Sequence, residues 1–354
     1  MRKIILTGGG SAGHVIPNLA LLPRLMSAGL EVSYIGSHDG IERGIAESAN
    51  VPYFSISSGK LRRYFDVKNF IDIFRVGKGI VDALRILRRL KPEVVFSKGG
   101  FVTVPVIMAA RILGIKTVIH ESDITPGLAN RLCIPFSTKI CCSFPETMSR
   151  LPQTKAVLTG TPLRSEIMLG DRSKGLGILG FEPVGKPIVL VMGGSQGSVV
   201  INERLRGILP QLLEDFRVAH LCGKGNFSWE KHQGYAEFEF LGDEMSDVLG
   251  AADIIVSRAG ANSIFEFLAL KKPHLLIPLS MEASRGDQIQ NALSFEKQGF
   301  SMVLWEEEMT GERLLGDIKQ LYASREKYAA AMEAGQIGDA VSGVFNVILE
   351  TLRK

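Results

Sequence analysis

The sequence predicts an α/β protein made of two doubly wound domains that face a cleft, and three observations predict it. Short apolar runs alternate with helical patterns through the first half of the chain, which is typical of a parallel sheet with helices on both faces. The first run, Ile4–Leu6, ends in a glycine-rich segment, and the same arrangement begins again at Pro187. The length of 354 residues also exceeds that of one ordinary domain.

Apolar runs of strand length give the expected strands in order. In the first half they follow Ile4–Leu6 at Val32–Gly36, Tyr53–Ile56, Glu93–Ser97, Lys116–His120, Lys139–Ser143 and Ala156–Thr159. In the second half they lie at Ile188–Met192, Val218–Cys222, Phe238–Leu241, Ile254–Ser257, His274–Pro278 and Ser301–Leu304. Only helical patterns follow Gly311, and the domain boundary is expected between residues 160 and 186.

The segment after the first strand predicts an anion site. Gly8, Gly10 and Gly13 lie between a strand and a helix, where glycines let backbone N–H groups approach a phosphate. Binding of NAD would need an acidic residue closing the second strand, but Asp39 comes too late for that role. His14 directly follows the loop, so it is expected beside the phosphates.

Composition and charge narrow the class of protein. Residues 1–160 hold 21 Lys and Arg against 11 Asp and Glu, whereas residues 161–354 hold 20 against 26. One half is therefore suited to an anionic surface. Four cysteines without metal spacing indicate free thiols in a cytoplasmic protein. We expect no metal site, no cofactor, no nucleic-acid partner and no membrane-spanning segment.

Further strand-end loops favour a nucleotide-sugar site. The small residues after Ser257 open a helix that would present N–H groups to a diphosphate, and Glu266 is placed to accept hydrogen bonds from a ribose. The polar segment Ser284–Asn291 suits sugar hydroxyls. Taken one at a time, these residues are better explained as helix caps or surface positions. Their combination at the strand ends favours the sugar.

Six segments recur in the same order and spacing in one known family: Thr7–His14, Lys98–Phe101, His120–Glu121, Gly160–Arg164, Gly193–Gly197 and Arg258–Glu266. Over nearly its whole length the chain resembles the MurG family of bacterial glycosyltransferases. The resemblance implies a GT-B fold of two Rossmann-like domains, an acceptor- and membrane-facing domain at 1–163, joined by 339–354, and a donor domain at 164–338.

The resemblance also implies a reaction and its site. The enzyme would move N-acetylglucosamine with inversion from UDP-N-acetylglucosamine to undecaprenyl-diphospho-N-acetylmuramoyl-pentapeptide (lipid I), making lipid II for peptidoglycan at the cytoplasmic face of the membrane, alongside other proteins of cell-wall synthesis and division. His14 is the implied base. The implied donor contacts are Ser11, Ala12, Gly13, Asp123, Arg164, Ser195, Ala261, Asn262, Ser263, Ile264, Phe265, Glu266 and Gln288. Candidate acceptor or supporting residues are Lys98, Gly99, Gly100, Phe101, Glu121 and Asn291.

Two positions depart from the family pattern. Asp123 stands where asparagine is commoner, and an ionised carboxylate cannot donate a hydrogen bond to a sugar. Phe101 stands where tyrosine is commoner, which removes a hydroxyl.

The stretch from Lys60 to Lys91 holds ten Lys and Arg against three Asp, interleaved with apolar residues. A crossover helix packed on the sheet explains most of those apolar residues. Since the implied acceptor is anchored in a bilayer, we favour a patch that meets anionic lipid, with the expected members Arg62, Arg63, Lys68, Phe74, Arg88 and Arg89.

Three alternatives stay open from the sequence. A diacylglycerol glycosyltransferase has the same architecture with another lipid acceptor. A non-hydrolysing UDP-N-acetylglucosamine 2-epimerase has two such domains but needs no lipid surface. A nucleotide-sugar-binding regulator would leave His14 beside the phosphate loop unexplained.

Overall fold

A computed structural model of the protein describes residues 2–59, 68–194, 197–281, 286–335 and 338–353, with only the backbone described at 68–73. Contacts divide the chain into two compact units. The first comprises Met1–Arg164 with Ile337–Lys354, and the second Ser165–Gln336.

The first unit contains a seven-stranded sheet in which every described pair of neighbouring strands is parallel. Its strands are β1 (Arg2–Thr7), β2 (Leu30–Ser37), β3 (Tyr53–Ile56), β4 (Val94–Ser97), β5 (Lys116–Glu121), β6 (Lys139–Cys142) and β7 (Ala156–Leu158). The strand order is β3-β2-β1-β4-β5-β6-β7. The connecting helices are α1 (Ile16–Leu19), α2 (Leu22–Ser27), α3 (Ile41–Ser48), α4 (Lys68–Leu90), α5 (Thr103–Ile112) and α6 (Leu128–Cys133).

The second unit repeats this design with six parallel strands. They are β8 (Ile188–Met192), β9 (Arg217–Leu221), β10 (Tyr235–Phe238), β11 (Ile254–Ser257), β12 (His274–Leu276) and β13 (Ser301–Val303), in the order β10-β9-β8-β11-β12-β13. Its helices are α7 (Arg172–Leu179), α8 (Val199–Asp215), α9 (Met245–Ala251), α10 (Ala261–Ala269), α11 (Asp287–Lys297), α12 (Gly311–Ala323) and α13 (Arg325–Ala334).

The helix that follows the second unit, α14 (Ala340–Arg353), belongs to the first unit. Its residues Val344, Val347 and Ile348 are buried in the same core cluster as Ile4 and Val94 of the sheet. At its N-terminal side, Asp339 pairs with Arg24 of α2 at 2.9 Å. The helix therefore covers the part of the sheet face that α1 to α3 leave open.

Burial on both faces explains why the strands read as continuous apolar runs. In the first unit one core lies under α1 to α3 and α14, and the other under α4 to α6. The second unit likewise has a core on each face of its sheet. The predicted fold class of two doubly wound α/β domains is confirmed. Of the helices described, none combines the length and the apolar character needed to cross a bilayer.

One strand prediction was wrong by three residues. The run Phe238–Leu241 was predicted as a strand, whereas β10 is Tyr235–Phe238. Its register with β9 pairs Tyr235 with Val218 and Phe238 with Leu221, where β9 ends. Phe240 is 72% exposed, so the apolar run continues beyond the sheet into a surface loop.

Candidate functional site

Two glycine-rich loops meet in the first unit where the strand order reverses, after β1 and β4. The N–H of Gly9 donates to the carbonyl oxygen of Gly99 at 3.3 Å. A Cβ at Gly100, where φ is +90°, would overlap the carbonyl oxygen of Gly9. Only glycine permits this approach. The loop backbones therefore lie together at the carboxyl ends of the strands, the edge where open α/β sheets bind ligands.

Glu42 of α3 is fully buried beneath the first of these loops. Its carboxylate accepts hydrogen bonds from the N–H of Gly10 at 3.3 Å and from the N–H and Oγ of Ser37 at 2.9 and 2.6 Å. A Cβ at Gly9 would lie 2.6 Å from this carboxylate. Sequence reasoning missed Glu42, because its position in the first turn of a helix has an ordinary explanation as a dipole-stabilising residue.

His14 ends a short 3₁₀ helix, Ala12–His14, that follows the first loop. Its Nδ1 atom is buried. Burial and, to a smaller extent, the positive charge of Lys98 lower the pKa of the imidazole to about 4, although a hydrogen bond with the Lys98 backbone and the charge of Glu42 oppose this effect. His14 lies close to Gly99 of the second glycine loop, a contact that its position in the sequence does not reveal. The structure makes it neutral throughout the physiological range.

Lys98 and Glu121 form a buried charged cluster at the ends of the adjacent strands β4 and β5. The side-chain ammonium of Lys98 donates to Oγ of Ser122. Burial lowers the pKa of Lys98 to about 8, against the attraction of Glu121 and Asp123. Burial and the charge of Asp123 raise the pKa of Glu121 to about 7. Two carboxyl groups and one amine therefore share a poorly solvated site near His14.

Hydrogen bonds fix the position of Glu121. Its carboxylate accepts from the backbone N–H groups of Asp123 and Gly127, each at 3.0 Å, and from Nδ2 of Asn130 at 2.9 Å. Asn130 also donates to the carbonyl oxygen of His120 at 3.0 Å. Glu121 thus holds the loop after β5 in shape. Asn130 was not singled out from the sequence, since an amide on α6 has no distinguishing pattern.

His120 is buried within β5, whereas its motif suggests a position at the end of the strand. It is fully buried, and its Nε2 atom is 2.9 Å from the carbonyl oxygen of Gly160. Burial and the charge of Lys98 hold the pKa of His120 well below its usual value. Nearby, the hydroxyls of Ser143 and Thr161 are 2.6 Å apart. These contacts join β5 to the segment that follows β7.

The remaining predicted residues of the first unit are near the loops or at the surface. Ser11 is exposed, Ala12 and Gly13 are half-buried in the 3₁₀ helix, and Asp123 is half-buried in the loop after β5. Phe101 packs against the core beneath α5. Arg164, at the end of this unit, is exposed.

The second unit has a matching glycine loop after β8, at the reversal of its strand order. Ser195 of this loop, a predicted donor contact, lies outside the described residues. Ser198 caps α8, its Oγ accepting from the N–H of Ile201 at 3.4 Å. Arg258, buried at the end of β11, donates to that Oγ at 2.7 Å and to the carbonyl oxygen of Ile277 at 3.2 Å. Arg258 thus connects three strand-end loops, a role that its motif did not indicate.

The segment Ala261–Glu266 forms the first turns of α10, whose N-cap is Gly260. Ile264 and Phe265 are buried, and Phe265 contacts the Phe295 ring edge-on at 5.5 Å between centroids. The N–H of Ile264 donates to the carbonyl oxygen of Gly260 at 3.1 Å. The side chains of Ile264 and Phe265, counted among the donor contacts, therefore belong to the core. Asn262, Ser263 and Glu266 are half-buried.

Two predicted residues of α11 support neighbouring loops. Oε1 of Gln288 accepts from the N–H of Leu279 at 3.2 Å. Nδ2 of Asn291, which is fully buried, donates to the carbonyl oxygen of Ala259 at 3.2 Å. Asn291 therefore acts on the backbone just before α10, whereas Gln288 lies at the start of its helix after the loop that follows β12.

The basic stretch forms α4 from Lys68 onward. Arg62 and Arg63 lie outside the described residues, and only the backbone of Lys68 is described. One helical face presents exposed residues at intervals of three and four: Phe74, Lys78, Val81, Arg85 and Arg88. Phe74 is 78% exposed. Arg89 lies off this face, with its guanidinium 5.1 Å from the centre of the Phe54 ring. We call Phe74, Lys78, Val81, Arg85 and Arg88 the α4 face.

Comparison with known protein families gives two matches that together span most of the chain. Residues 4–142 match the N-terminal domain of glycosyltransferase family 28, and residues 188–343 match its C-terminal domain.

Individual relatives agree with this result. Proteins from Lachnospira eligens and Clostridium kluyveri are 54% and 55% identical to the chain, each over 98% of it and 99% of the relative. Both are named UDP-N-acetylglucosamine–N-acetylmuramyl-(pentapeptide) pyrophosphoryl-undecaprenol N-acetylglucosamine transferase. Among solved structures, Acinetobacter baumannii MurG aligns with a TM-score of 0.76 at 24% identity, over 99% of this chain and 100% of that one. That structure supports the fold.

Proposed function

The chain belongs to glycosyltransferase family 28, and from this premise we propose that it transfers N-acetylglucosamine from UDP-N-acetylglucosamine to lipid I, forming lipid II for peptidoglycan. The observation that carries this function is the identity of more than half of its residues, over nearly full length, with enzymes named for this transfer. The protein is a hexosyltransferase, and the two glycine loops beside His14 are consistent with diphosphate-bearing substrates.

We assign the acceptor to the first unit. The N–H groups of Gly9 and Gly10 are used within the protein and fix the loop at the end of the sheet, where its remaining N–H groups suit the diphosphate of lipid I. Lys98 adds a positive charge at the same sheet edge, and Glu121 keeps the adjoining loop in a fixed shape. Ser11, Ala12 and Gly13, on the same loop as His14, would then contact the reacting groups.

We assign the donor to the second unit. The first turn of α10 offers N–H donors for the diphosphate of UDP, and Glu266, on the same helix, would accept hydrogen bonds from the ribose. Gln288 would contact the sugar. Asn291 supports the start of α10, because it binds the carbonyl oxygen of Ala259. Arg258 joins the segment after β12 to the cap of α8.

His14 is the proposed general base. An acceptor hydroxyl oxygen of lipid I forms a bond to the anomeric carbon of N-acetylglucosamine, on the face opposite the diphosphate. The bond from that carbon to the diphosphate oxygen breaks, and its electron pair leaves with UDP. The hydroxyl proton passes to the neutral imidazole. Backbone N–H groups stabilise the charge that develops on the departing diphosphate.

We further propose that the protein acts as a peripheral protein at the cytoplasmic face of the membrane. The α4 face supports this location. Its three basic residues and two exposed apolar residues lie along one side of a helix, as expected for a surface that meets anionic headgroups. A lipid-linked acceptor would be reached from such a position.

Incubation of the purified protein with UDP-N-acetylglucosamine and lipid I tests the function, with lipid II and UDP as the expected products. Replacing lipid I by diacylglycerol should give no glycosylated lipid. Conversion of UDP-N-acetylglucosamine to its 2-epimer without an acceptor, or donor binding with no transfer to lipid I, would contradict the proposal.

A further inference from the structure

We propose that Lys98 is a positioning residue that neutralises the acidic loop after β5, so that an aspartate at position 123 is compatible with a diphosphate substrate. This inference rests on the proposed function. It concerns the charge balance where Lys98, Ser122 and Asp123 lie together at the ends of two adjacent strands.

The geometry places the ammonium of Lys98 against a residue that lies between two acids in the sequence. Lys98 directly follows β4, Glu121 ends β5, and the two strands pair in parallel. The Lys98 side chain is only 1% exposed, and it donates to Oγ of Ser122, the residue between the two acids. A buried ammonium that contacts the residue between two carboxylates is held by their attraction, since an unpaired buried charge is strongly disfavoured.

The substrate requires this balance. Without Lys98, the charge of Asp123 in the loop after β5 would lose the ammonium that attracts it. Glu121 adds less charge, because its pKa is raised to about 7 and its carboxylate is hydrogen-bonded within that loop. Lipid I brings further negative charge in its diphosphate, and like charges in a poorly solvated site repel strongly. A lysine at this position offsets the acids without reaching the substrate itself. Loss of the Lys98 charge should therefore lower the affinity for the anionic acceptor.

Lys98 also acts on His14. Among the described residues, the charged groups that act on the imidazole are Lys98, from the end of β4, and Glu42, from α3. The ammonium opposes a second positive charge nearby, so it keeps His14 in the neutral form that can accept a proton. Burial lowers the pKa of the imidazole more than Lys98 does, and the two effects act in the same direction.

A double-mutant cycle tests the proposal in the full-length enzyme. Lys98→Met keeps an unbranched stem of similar length but removes the charge. We expect it to raise KM for lipid I about 30-fold or more, as for loss of one member of a buried charge pair, with less change in kcat. Adding Asp123→Asn should recover most of that loss, because a neutral amide needs no counter-charge. If the double variant is as poor as Lys98→Met or poorer, the charge-balance role is refuted.

Two controls separate this proposal from misfolding and from failure of the function. Binding of UDP should match the parent protein in Lys98→Met, and a cooperative thermal transition should show that both variants are folded. If Lys98→Met does not fold, Ser122→Ala removes the anchor of the ammonium and should shift KM for lipid I in the same direction. Independently of any activity, NMR titration should show a higher pKa for His14 in Lys98→Met. An unchanged His14 pKa together with an unchanged KM would overturn the proposal.

Discussion

The carboxylate of Glu42 lies directly under the first glycine loop and accepts the N–H of Gly10 at 3.3 Å. The loop that would face a diphosphate therefore rests on a buried acid. The same carboxylate binds Ser37 at the end of β2, so it links two strand ends and fixes the direction in which the remaining loop N–H groups point.

Replacing Glu42 by Ala should lower the free energy of unfolding by about 1–3 kcal/mol, because buried N–H groups lose their acceptor. It should also lower kcat, since the loop loses its support. Urea unfolding and initial rates measure both effects. Glu47→Ala is the matched control, because exposed Glu47 pairs with exposed Arg43 on the same helix. Equal effects of the two changes would contradict the role of Glu42.

His14→Ala should lower kcat by about 10²–10⁴-fold, the usual contribution of a general base, and leave UDP affinity nearly unchanged. If His14 only donates a hydrogen bond, His14→Gln would keep most of the activity. Near-normal turnover of His14→Gln would transfer the role of base to Glu121 or Asp123.

The pH dependence of the parent enzyme gives a separate prediction. Because the folded pKa of His14 is about 4, the imidazole stays neutral down to that region, and its protonation should cause no fall of kcat near pH 6.5. Rates between pH 5.5 and 7.5 measure this. An acid limb near pH 6.5 that disappears in His14→Gln would show that the imidazole is not desolvated.

Glu266→Ala should weaken binding of UDP and UDP-N-acetylglucosamine through loss of the ribose contact, with a smaller effect on kcat at saturating donor. Calorimetry measures the affinities. Glu296, on α11 of the same unit, supplies the control as Glu296→Ala. Unchanged UDP affinity in Glu266→Ala would remove the ribose assignment.

Binding to vesicles that contain phosphatidylglycerol should depend on the α4 face. Changing Lys78, Arg85 and Arg88 to Gln should weaken binding on the order of a hundredfold, at about 1 kcal/mol for each basic residue. Binding should also weaken as salt rises, because exposed charges are screened beyond about 8 Å at physiological ionic strength. The control carries the same charge change in the second unit, at Arg204, Lys224 and Lys231. Equal loss in both triple variants would show a general charge effect.

His274 should make the protein less stable in acid. Burial lowers its folded pKa to about 4 from 6.5, so the unfolded chain takes up the proton first. Stability is unaffected above pH 6.5 and is lost as pH falls from 6.5 toward 4, at about 1.4 kcal/mol for each unit of pKa shift. His274→Gln should make the urea midpoint depend less on pH in this window. His232→Gln, at an exposed position, should leave that pH dependence unchanged.

Much of the fold could be predicted because its strands are buried on both faces and are read directly as apolar runs. Only the run Phe238–Leu241 was misplaced, since its apolar residues continue past the end of its partner strand. The glycine loops were also visible, because close backbone approach leaves a compositional trace at Gly9 and Gly100.

The supporting residues could not be found in the same way. Glu42 and Arg258 each act on a loop that is distant in sequence. Asn130 acts on the nearby strand end before its own helix, but an amide on a helix has no distinguishing pattern. The environment of His14 is equally non-local, because Lys98 is 84 positions further along the chain. A single sequence shows that such residues are present, but not which of them are in contact in the fold.

Helix α14 gives the protein an unusual order of assembly. The first unit is encoded in two pieces, and Val344, Val347 and Ile348 close its core only from beyond the second unit. During synthesis on the ribosome, chains generally fold from the N-terminus as segments emerge. Here the first unit must wait with one sheet face partly uncovered while some 170 further residues are translated. The second unit, which is contiguous, can be complete before the first one is.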